Sequence, residues 1–277
     1  MKIFLTGGTG FIGSHFINYA HDCGHEIIAV LRSKDSLPRV ELNKNPTWVQ
    51  SRLDNPKLKS HLSKCDVVVH LASHSANKPY DSYLKCMYHN FFESTLFMYN
   101  AIDAGIKKFI VAGTCFEYGK SSTLYNRIPT HASLEPMNSY AKSKAAFYAV
   151  CSSIALEKKV QIIYPRIFQV FGEGEYISRL WPSLKVASLE KKDYTISSSS
   201  LIRDFINVHD VAQKLVSYID KNIDNKGEVN ITHIATGKGQ TVGNFALYWW
   251  KKWGSTGRLI LNDNKNNSDI QRIVAEI

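Results

Sequence analysis

The sequence predicts an α/β protein built on a doubly wound parallel sheet with a smaller mixed α/β part after it, and three observations carry that reading. Strand-like and helix-like runs alternate through the first 165 residues, the pattern of a parallel sheet covered by helices. The apolar strand Lys2–Thr6 runs straight into the turn Gly7-Gly8-Thr9-Gly10-Phe11-Ile12-Gly13, and a helix follows. The length of 277 residues, 44% of them hydrophobic, allows a large core in one domain or two closely joined ones.

The elements follow in order. Lys2–Thr6, Glu26–Leu31, Thr47–Gln50, Asp66–Leu71, Lys107–Ala112 and Val160–Tyr164 are short apolar runs of strand length. Phe11–Cys23, Pro56–Ser63, about 80–104 and Ser139–Glu157 are the helices between them, and Asn138-Ser139 gives the last a capped start. Beyond Pro165 the pattern is less regular. A helix near Ile177–Leu189, a strand near Tyr194–Ile196, a helix at Val208–Asp220 and a late helix at Thr241–Trp253 are expected, with Thr241 as the last N-cap. The serine run Ser197–Ser200 reads as a loop, and Asn262–Ser268 as a mobile tail segment. These elements divide the chain into a nucleotide-binding domain at 1–165 and a mainly substrate-binding part at 166–277, with about 194–222 returning to pack on the first domain.

Composition narrows the function classes. There is no run of about 18 apolar residues, so a membrane-spanning helix is not expected, and the N-terminal apolar stretch is too short for a signal peptide. Cys23, Cys65, Cys86, Cys115 and Cys151 lack CxxC spacing, which fits free thiols of a cytoplasmic protein with neither a metal site nor a disulfide framework. The net charge of +10 is spread along the chain without a basic block, which speaks against nucleic acid as partner. Such a field still attracts an anionic cofactor or a diphosphate.

Strand, glycine turn and helix together form the context of a dinucleotide-binding fingerprint of Rossmann type. Gly7 allows the tight turn, Gly10 lets the backbone approach a pyrophosphate, and Gly13 lets the helix pack close. The N–H groups and dipole of the helix beginning at Phe11 and Ile12 then face the phosphates. Ligands of such a sheet sit at the carboxyl ends of its strands, which places Arg32, Ala72–His74 and Gly113–Thr114 on the same edge.

Tyr140 and Lys144 stand four apart near the start of a helix, on one face. A neighbouring ammonium favours the phenolate and lets a tyrosine exchange protons near neutral pH. Tyr248 and Lys252 repeat the spacing, but their Tyr-Trp-Trp-Lys-Lys context reads as a core helix with solvated lysines.

These motifs together resemble an extended short-chain dehydrogenase/reductase of the sugar-nucleotide type, over nearly the whole chain. Thr6-Gly-Gly-Thr-Gly-Phe-Ile-Gly-Ser-His15 resembles its cofactor fingerprint, and His70-Leu71-Ala72-Ser73 its fourth-strand motif beneath the adenine ribose. Asn90 falls at its structural asparagine, Thr114 at its catalytic Ser/Thr, and Tyr140 and Lys144 at its YxxxK. Pro165–Gly172, with Ile167 and Gln169, resembles the turn beside nicotinamide and sugar, with Gln169 in place of a frequent asparagine. Arg203-Asp-Phe-Ile-Asn-Val-His-Asp210 resembles the segment whose arginine contacts the substrate diphosphate. The resemblance implies a nucleoside-diphosphate sugar as substrate and His70 and His74 as structural residues. It also implies a homodimer that pairs the helices at about 80–104 and 139–157, whose apolar residues include Phe91, Phe92, Phe97, Met98, Phe147 and Ile154.

Two departures choose a branch. Leu31 stands 18 residues past Gly13, where an acidic side chain would bind the ribose of NAD; Arg32 and Ser33 follow it and suit a 2′-phosphate, so NADP(H) is favoured over NAD(H). The family's 4,6-dehydratases carry Asp-Glu after the catalytic threonine, where this chain has Cys115 and Phe116 in the substrate pocket. Neither can act as that acid or base, and Glu117 points to the other side of an extended segment. The chain therefore reads as an NADPH-dependent reductase of a nucleoside-diphosphate-4-keto-6-deoxysugar, ahead of an NAD-dependent C4-epimerase. A non-catalytic NADP-binding sensor is opposed by the intact Thr114–Tyr140–Lys144 set.

Overall fold

The computed structural model describes residues 1–221, 227–263 and 270–277. Its strands in the first half are β1 (Lys2–Thr6), β2 (Glu26–Leu31), β3 (Thr47–Gln50), β4 (Val67–His70), β5 (Lys108–Val111), β6 (Gly113–Thr114) and β7 (Gln161–Ile167). Its helices there are α1 (Phe11–Asp22), α2 (Lys59–Leu62), α3 (Tyr83–Met87), α4 (Glu93–Asp103) and α5 (Ser139–Lys158), with a π-helical turn Tyr88–Phe92 joining α3 to α4. The second half adds β8 (Gln169–Phe171), α6 (Leu180–Leu189), β9 (Tyr194–Ile196), β10 (Ile202–Asn207), α7 (Val208–Ser217) and β11 (Val229–Ile234). It closes with β12 (Gly239–Thr241), α8 (Val242–Lys252), β13 (Leu259–Leu261) and β14 (Arg272–Ile273).

The main sheet runs β3-β2-β1-β4-β5-β7-β11, with β6 beside β7, and every pairing is parallel. Successive side chains of a strand face opposite sides, so β1 sends Ile3 and Leu5 to one core and Phe4 to the other. The first core is closed by Phe16, Ile17 and Ala20 of α1 with Val211, Leu215 and Val216 of α7. The second is closed by Leu62 of α2, Phe97 and Met98 of α4, and Phe147, Cys151 and Ile154 of α5. Strand order reverses between β1 and β4, and the crevice beyond their carboxyl ends is the natural ligand site of a doubly wound sheet.

The expected strands and helices of the first half are all present. The second half departs from expectation in an instructive way. A boundary at 165 cuts β7, which runs to Ile167, and the last strand of the main sheet, β11, comes from beyond the return expected at 194–222. Within that range α7 packs on α1, whereas β9 and β10 join other sheets. β10 lies between antiparallel β12 and parallel β14, and also pairs with β8. β9 pairs with β13, and α6 and α8 cover them with an aromatic cluster in which Phe205 and Phe245 stack at 3.9 Å.

Two further expectations change. Asn262 and Asp263 are anchored, through Asn262 N–H to the Ile196 carbonyl and Asp263 to Ser199 and Ser200; the rest of the segment expected to be mobile lies outside the described residues. The chain after it is no tail, because Ile273, Val274 and Ala275 are buried. The apolar surplus of the two long helices is also smaller than expected, since Phe97, Met98, Phe147 and Ile154 are consumed by the second core. What stays exposed is Tyr83, Leu84, Tyr88, Phe92 and Leu96 on the α3–α4 side, and Leu156 near the end of α5.

Candidate active site

A cavity of about 880 Å³ opens at the carboxyl ends of β1, β2, β4, β6 and β7, within the range of cofactor sites. Its floor is the glycine turn. Gly7 has φ of 76°, and a Cβ there would stand 2.6 Å from the Ala72 nitrogen. A Cβ on Gly13 would clash with the Gly7 carbonyl, so the helix meets the strand only because both residues lack side chains. The N-cap Gly10 offers no side chain to the first turn, and the N–H groups of Phe11, Ile12 and Gly13 are left for an anion in the cavity wall they line. A dinucleotide diphosphate fits that cradle.

At the end of β2, Arg32 lines the cavity, and Ser36 and Arg39 join it there. Ser33 does not. Its hydroxyl donates to the Asp35 carboxylate at 3.3 Å and accepts from the Asp35 N–H at 3.2 Å, closing a turn. At the end of β4, Leu71, Ala72 and Ser73 line the cavity. The buried His70 beneath them joins Thr6 Oγ1 at 2.8 Å and Ser94 Oγ at 3.1 Å, while His74, which also lines the cavity, joins Asp81. Asn90 reaches the cavity wall, but its amide is spent on structure: Oδ1 accepts from His74 N–H, and Nδ2 donates to the His74 carbonyl and Ser143 Oγ.

Thr114, Phe116, Tyr140, Lys144, Ile167 and Gln169 meet in the same cavity. Asn138 accepts from Ala141 N–H at 2.9 Å and so starts α5, which sets Tyr140 in its first turn and Lys144 one turn on. The Tyr140 ring lies parallel to Tyr80, with centroids 6.2 Å apart. Burial pushes the Tyr140 phenol well above its ordinary range, against hydrogen bonding from Ser73 and Thr114 that lowers it. Burial likewise pulls Lys144 down. Burial of this kind favours the neutral phenol, the form able to donate a proton.

Cys115 and Arg203 are placed elsewhere. Cys115 is buried among Tyr118, Phe168 and Ile273, outside the cavity wall, with burial pushing its thiol up to about 12. Arg203, on β10, donates to the Ile202 carbonyl at 2.8 Å and is also not in the wall, although its charge reaches Cys115. Asp204 beside it is a structural anchor that accepts from Thr236 N–H and Oγ1, Gly237 N–H and Ala275 N–H.

Glu117 also differs from expectation. Residues Cys115–Glu117 form a 3₁₀ turn, not extended chain, and the turn carries the Glu117 carboxylate inward onto the Thr114 N–H. Tyr80, Glu175, Tyr176 and Arg179 also line the cavity; the last three fall in the Glu173–Lys192 stretch expected to shape the substrate pocket, although none was singled out from sequence. Tyr80 and Arg179 lie in irregular stretches with no spacing signal. Glu175 has Oε2 buried without a hydrogen-bond partner, and Oε1 accepts from Arg179 at 3.2 Å. Burial raises its carboxyl to about 7, against the pull of Arg179.

The model of the NAD dependent epimerase/dehydratase family matches residues 3–232. GDP-6-deoxy-D-talose 4-dehydrogenase of Aggregatibacter actinomycetemcomitans is 29% identical over 251 residues, covering 87% of this chain and 76% of that protein. dTDP-D-glucose 4,6-dehydratase of Mus musculus is 25% identical over 253 residues, covering 84% and 71%. Among solved structures, UDP-N-acetylglucosamine 4-epimerase from Methanobrevibacter ruminantium M1, in complex with UDP-N-acetylmuramic acid, superposes with a TM-score of 0.88 at 22% identity, over all of this chain and 89% of that one.

Glu175 sets a pH dependence. Its carboxyl titrates at about 7 in the fold against an ordinary 4.5, so the folded chain keeps a proton that the unfolded chain releases. Stability therefore falls as pH rises from about 4.5 through about 7. Glu175→Gln should raise the melting temperature at pH 8 and change it little at pH 5; an equal effect at both pH values counts against this assignment.

Proposed function

The chain belongs to the NAD dependent epimerase/dehydratase family, nucleotide-sugar enzymes of the extended short-chain dehydrogenase/reductase class, and within it we propose that this enzyme reduces a nucleoside-diphosphate-4-keto-6-deoxysugar at C4 with NADPH. One observation carries the reading: Thr114, Tyr140 and Lys144 share a cavity, while Cys115 and Phe116 stand where a dehydratase needs its acid and base. The 4-dehydrogenase relative supports it, because dehydrogenation of a 6-deoxysugar at C4 is the reverse of 4-keto reduction. A C4-epimerase would use the same three residues and is the second reading, favoured by the epimerase that shares the fold.

A nicotinamide dinucleotide held in this cavity would supply a hydride to C4. Tyr140 gives its phenolic proton to the C4 oxygen and regains a proton from solvent. The Thr114 hydroxyl hydrogen-bonds the same oxygen and polarises it. Lys144 holds the nicotinamide ribose and stabilises the transient phenolate. Gly7–Gly13 carry the cofactor diphosphate, Leu71, Ala72 and Ser73 the adenosine side, and Ile167 and Gln169 the nicotinamide and sugar side. Arg32 supplies the positive charge for a 2′-phosphate, with Arg39 beside it in the cavity wall. Purified protein should oxidise NADPH in the presence of a 4-keto-6-deoxysugar nucleotide, with a kcat/KM above that for NADH. Tyr140→Phe should lower kcat by about 10²–10⁴-fold with NADPH affinity unchanged, and Arg32→Asp should shift preference toward NADH. Failure to turn over any 4-keto-sugar nucleotide, with C4 epimerisation observed instead, selects the second reading.

The substrate diphosphate is assigned to Arg203 on the resemblance of its segment, since a guanidinium fork suits paired phosphate oxygens. Arg203→Ala should raise the substrate KM by one to two orders of magnitude, roughly 1.4–2.8 kcal/mol, and leave NADPH affinity unchanged. Should Arg179→Ala have that effect and Arg203→Ala none, the diphosphate belongs to the cavity-wall arginine.

Assembly as a homodimer is supported by the exposed Tyr83, Leu84, Phe92 and Leu96 on the α3–α4 side. Light scattering at micromolar concentration should give twice the monomer mass; a monomeric mass contradicts the dimer.

A further inference from the structure

One buried carboxylate ties the Thr114 turn to the Tyr140 helix, and nothing in the reaction above gives it a task. Glu117 Oε1 accepts from the Thr114 N–H at 2.8 Å and from the Tyr164 hydroxyl at 3.1 Å, and Oε2 accepts from Arg166 Nε at 2.8 Å. The Tyr164 hydroxyl also lies 3.2 Å from the Lys144 carbonyl, so the same small network grips α5 at the residue carrying the lysine. No slack exists around it. A Cβ on Gly113 would stand 2.9 Å from Glu117 Oε1 and press on the Tyr164 ring. Arg166 is equally enclosed: Nη1 donates to the Tyr118 hydroxyl at 3.0 Å and the Thr130 carbonyl at 3.1 Å, and its guanidinium lies over the Tyr118 and Tyr148 rings.

A buried ion pair is a poor device for stability alone, because desolvation of both charges offsets their attraction. This pair also joins three elements that must keep register for the chemistry: β6 with its turn, β7 and α5. We propose that Glu117 is a positioning residue for the reaction at this site, locking the Thr114 turn to the catalytic helix through Tyr164 and placing a buried anion behind Tyr140 and Lys144. The proposal rests on the reading of Thr114, Tyr140 and Lys144 as the reacting set.

The electrostatic part has a definite sign. Tyr140 is faced by Ser73, by Tyr80, by Thr114 and Cys115 of the turn, and by Glu117; Lys144 shares its helix. Glu117 in turn is faced by Arg166 and Tyr164 of β7, Lys144 and Cys151 of α5, and Tyr118 and Cys115 of its own turn, while His233 of β11 closes the network through Tyr118. The charged members are Glu117, Arg166 and Lys144. The anion raises the proton affinity of both Tyr140 and Lys144, and reduction needs the protonated phenol. Without the carboxylate, and with Arg166 left uncompensated, the phenol ionises at lower pH.

The test uses the full chain and five variants. In Glu117→Gln the alkaline limb of the kcat profile should move down by about one pH unit or more. Arg166→Gln should not move it down, and the double variant should bring it back toward the wild-type position. Tyr164→Phe, which removes only the hydroxyl linking Glu117 to α5, should lower kcat by about ten- to a hundredfold at an unchanged limb and unchanged NADPH affinity. A purely structural ion pair predicts the reverse: lower melting temperatures, limbs in place in every variant, and a Tyr164→Phe kcat within twofold of wild type. Those outcomes overturn the proposal. The ionisation of Tyr140 can also be read without turnover, from the ¹³C-tyrosine ring signal that Tyr140→Phe deletes. A downward shift of its titration in Glu117→Gln upholds the electrostatic part even if no 4-keto sugar is reduced, and an unmoved titration refutes that part even if the reductase reading stands. Where Glu117→Gln does not fold, Tyr164→Phe decides the positioning part alone.

Discussion

Everything at the site depends on how closely α1 approaches the end of β1. Gly13 sits against the Gly7 carbonyl, and Gly7 against the Leu71–Ala72 peptide, at distances that leave no volume for a methyl group. That contact brings the uncapped first turn of α1 to the point where strand order reverses, and so sets the cofactor trough at the crevice between β1 and β4. The trough then dictates the rest. The same cavity takes in Thr114 from β6 and Tyr140 and Lys144 from α5.

Burial, more than pairwise charge, sets the chemistry there. A lysine one helical turn from a tyrosine suggests a lowered phenol pKa, yet the enclosed position of Tyr140 reverses the outcome. The same desolvation pulls Lys144 down, pushes Cys115 up and lifts Glu175 into the neutral range. Carbonyl reduction consumes a proton, so a phenol that holds its proton suits that direction. Oxidation would need the opposite charge state, which a bound nicotinamide cation would favour.

Much of this was legible in the residues themselves. The alternation of strand-like and helix-like runs and the glycine turn made the sheet and its ligand edge readable from sequence, and the Asn138 cap marked the start of α5. The second half resisted, because its strands are two to six residues long and pair across distant sequence: β10 with β14, β9 with β13, and β7 with β11. Period-2 patterning says nothing of partners at that separation. Glu117 was misread because a 3₁₀ turn, not a strand, carries it. Ser33 stands outside the cavity wall with its hydroxyl held by Asp35, and Glu175 belongs to no motif.

The anchoring of residues 270–277 bears on the order in which the molecule can assemble during synthesis. Val274 receives the Ile128 N–H, Ala275 donates to the buried Asp204, and the Glu276 carbonyl meets His233. The wall behind the Thr114 turn, with Tyr118, Phe168 and Ile273 packed together, thus waits for residues made well after the turn itself. The main sheet likewise lacks its edge strand until residue 234 has been made. Multi-element chains tend to fold N-terminal part first as they emerge, but here the nucleotide-binding half cannot close as an independent unit. A nascent chain would expose β7 and the hydrophobic back of the Thr114 turn until β11 and residues 273–275 had emerged, and would be a natural client for chaperones over that interval.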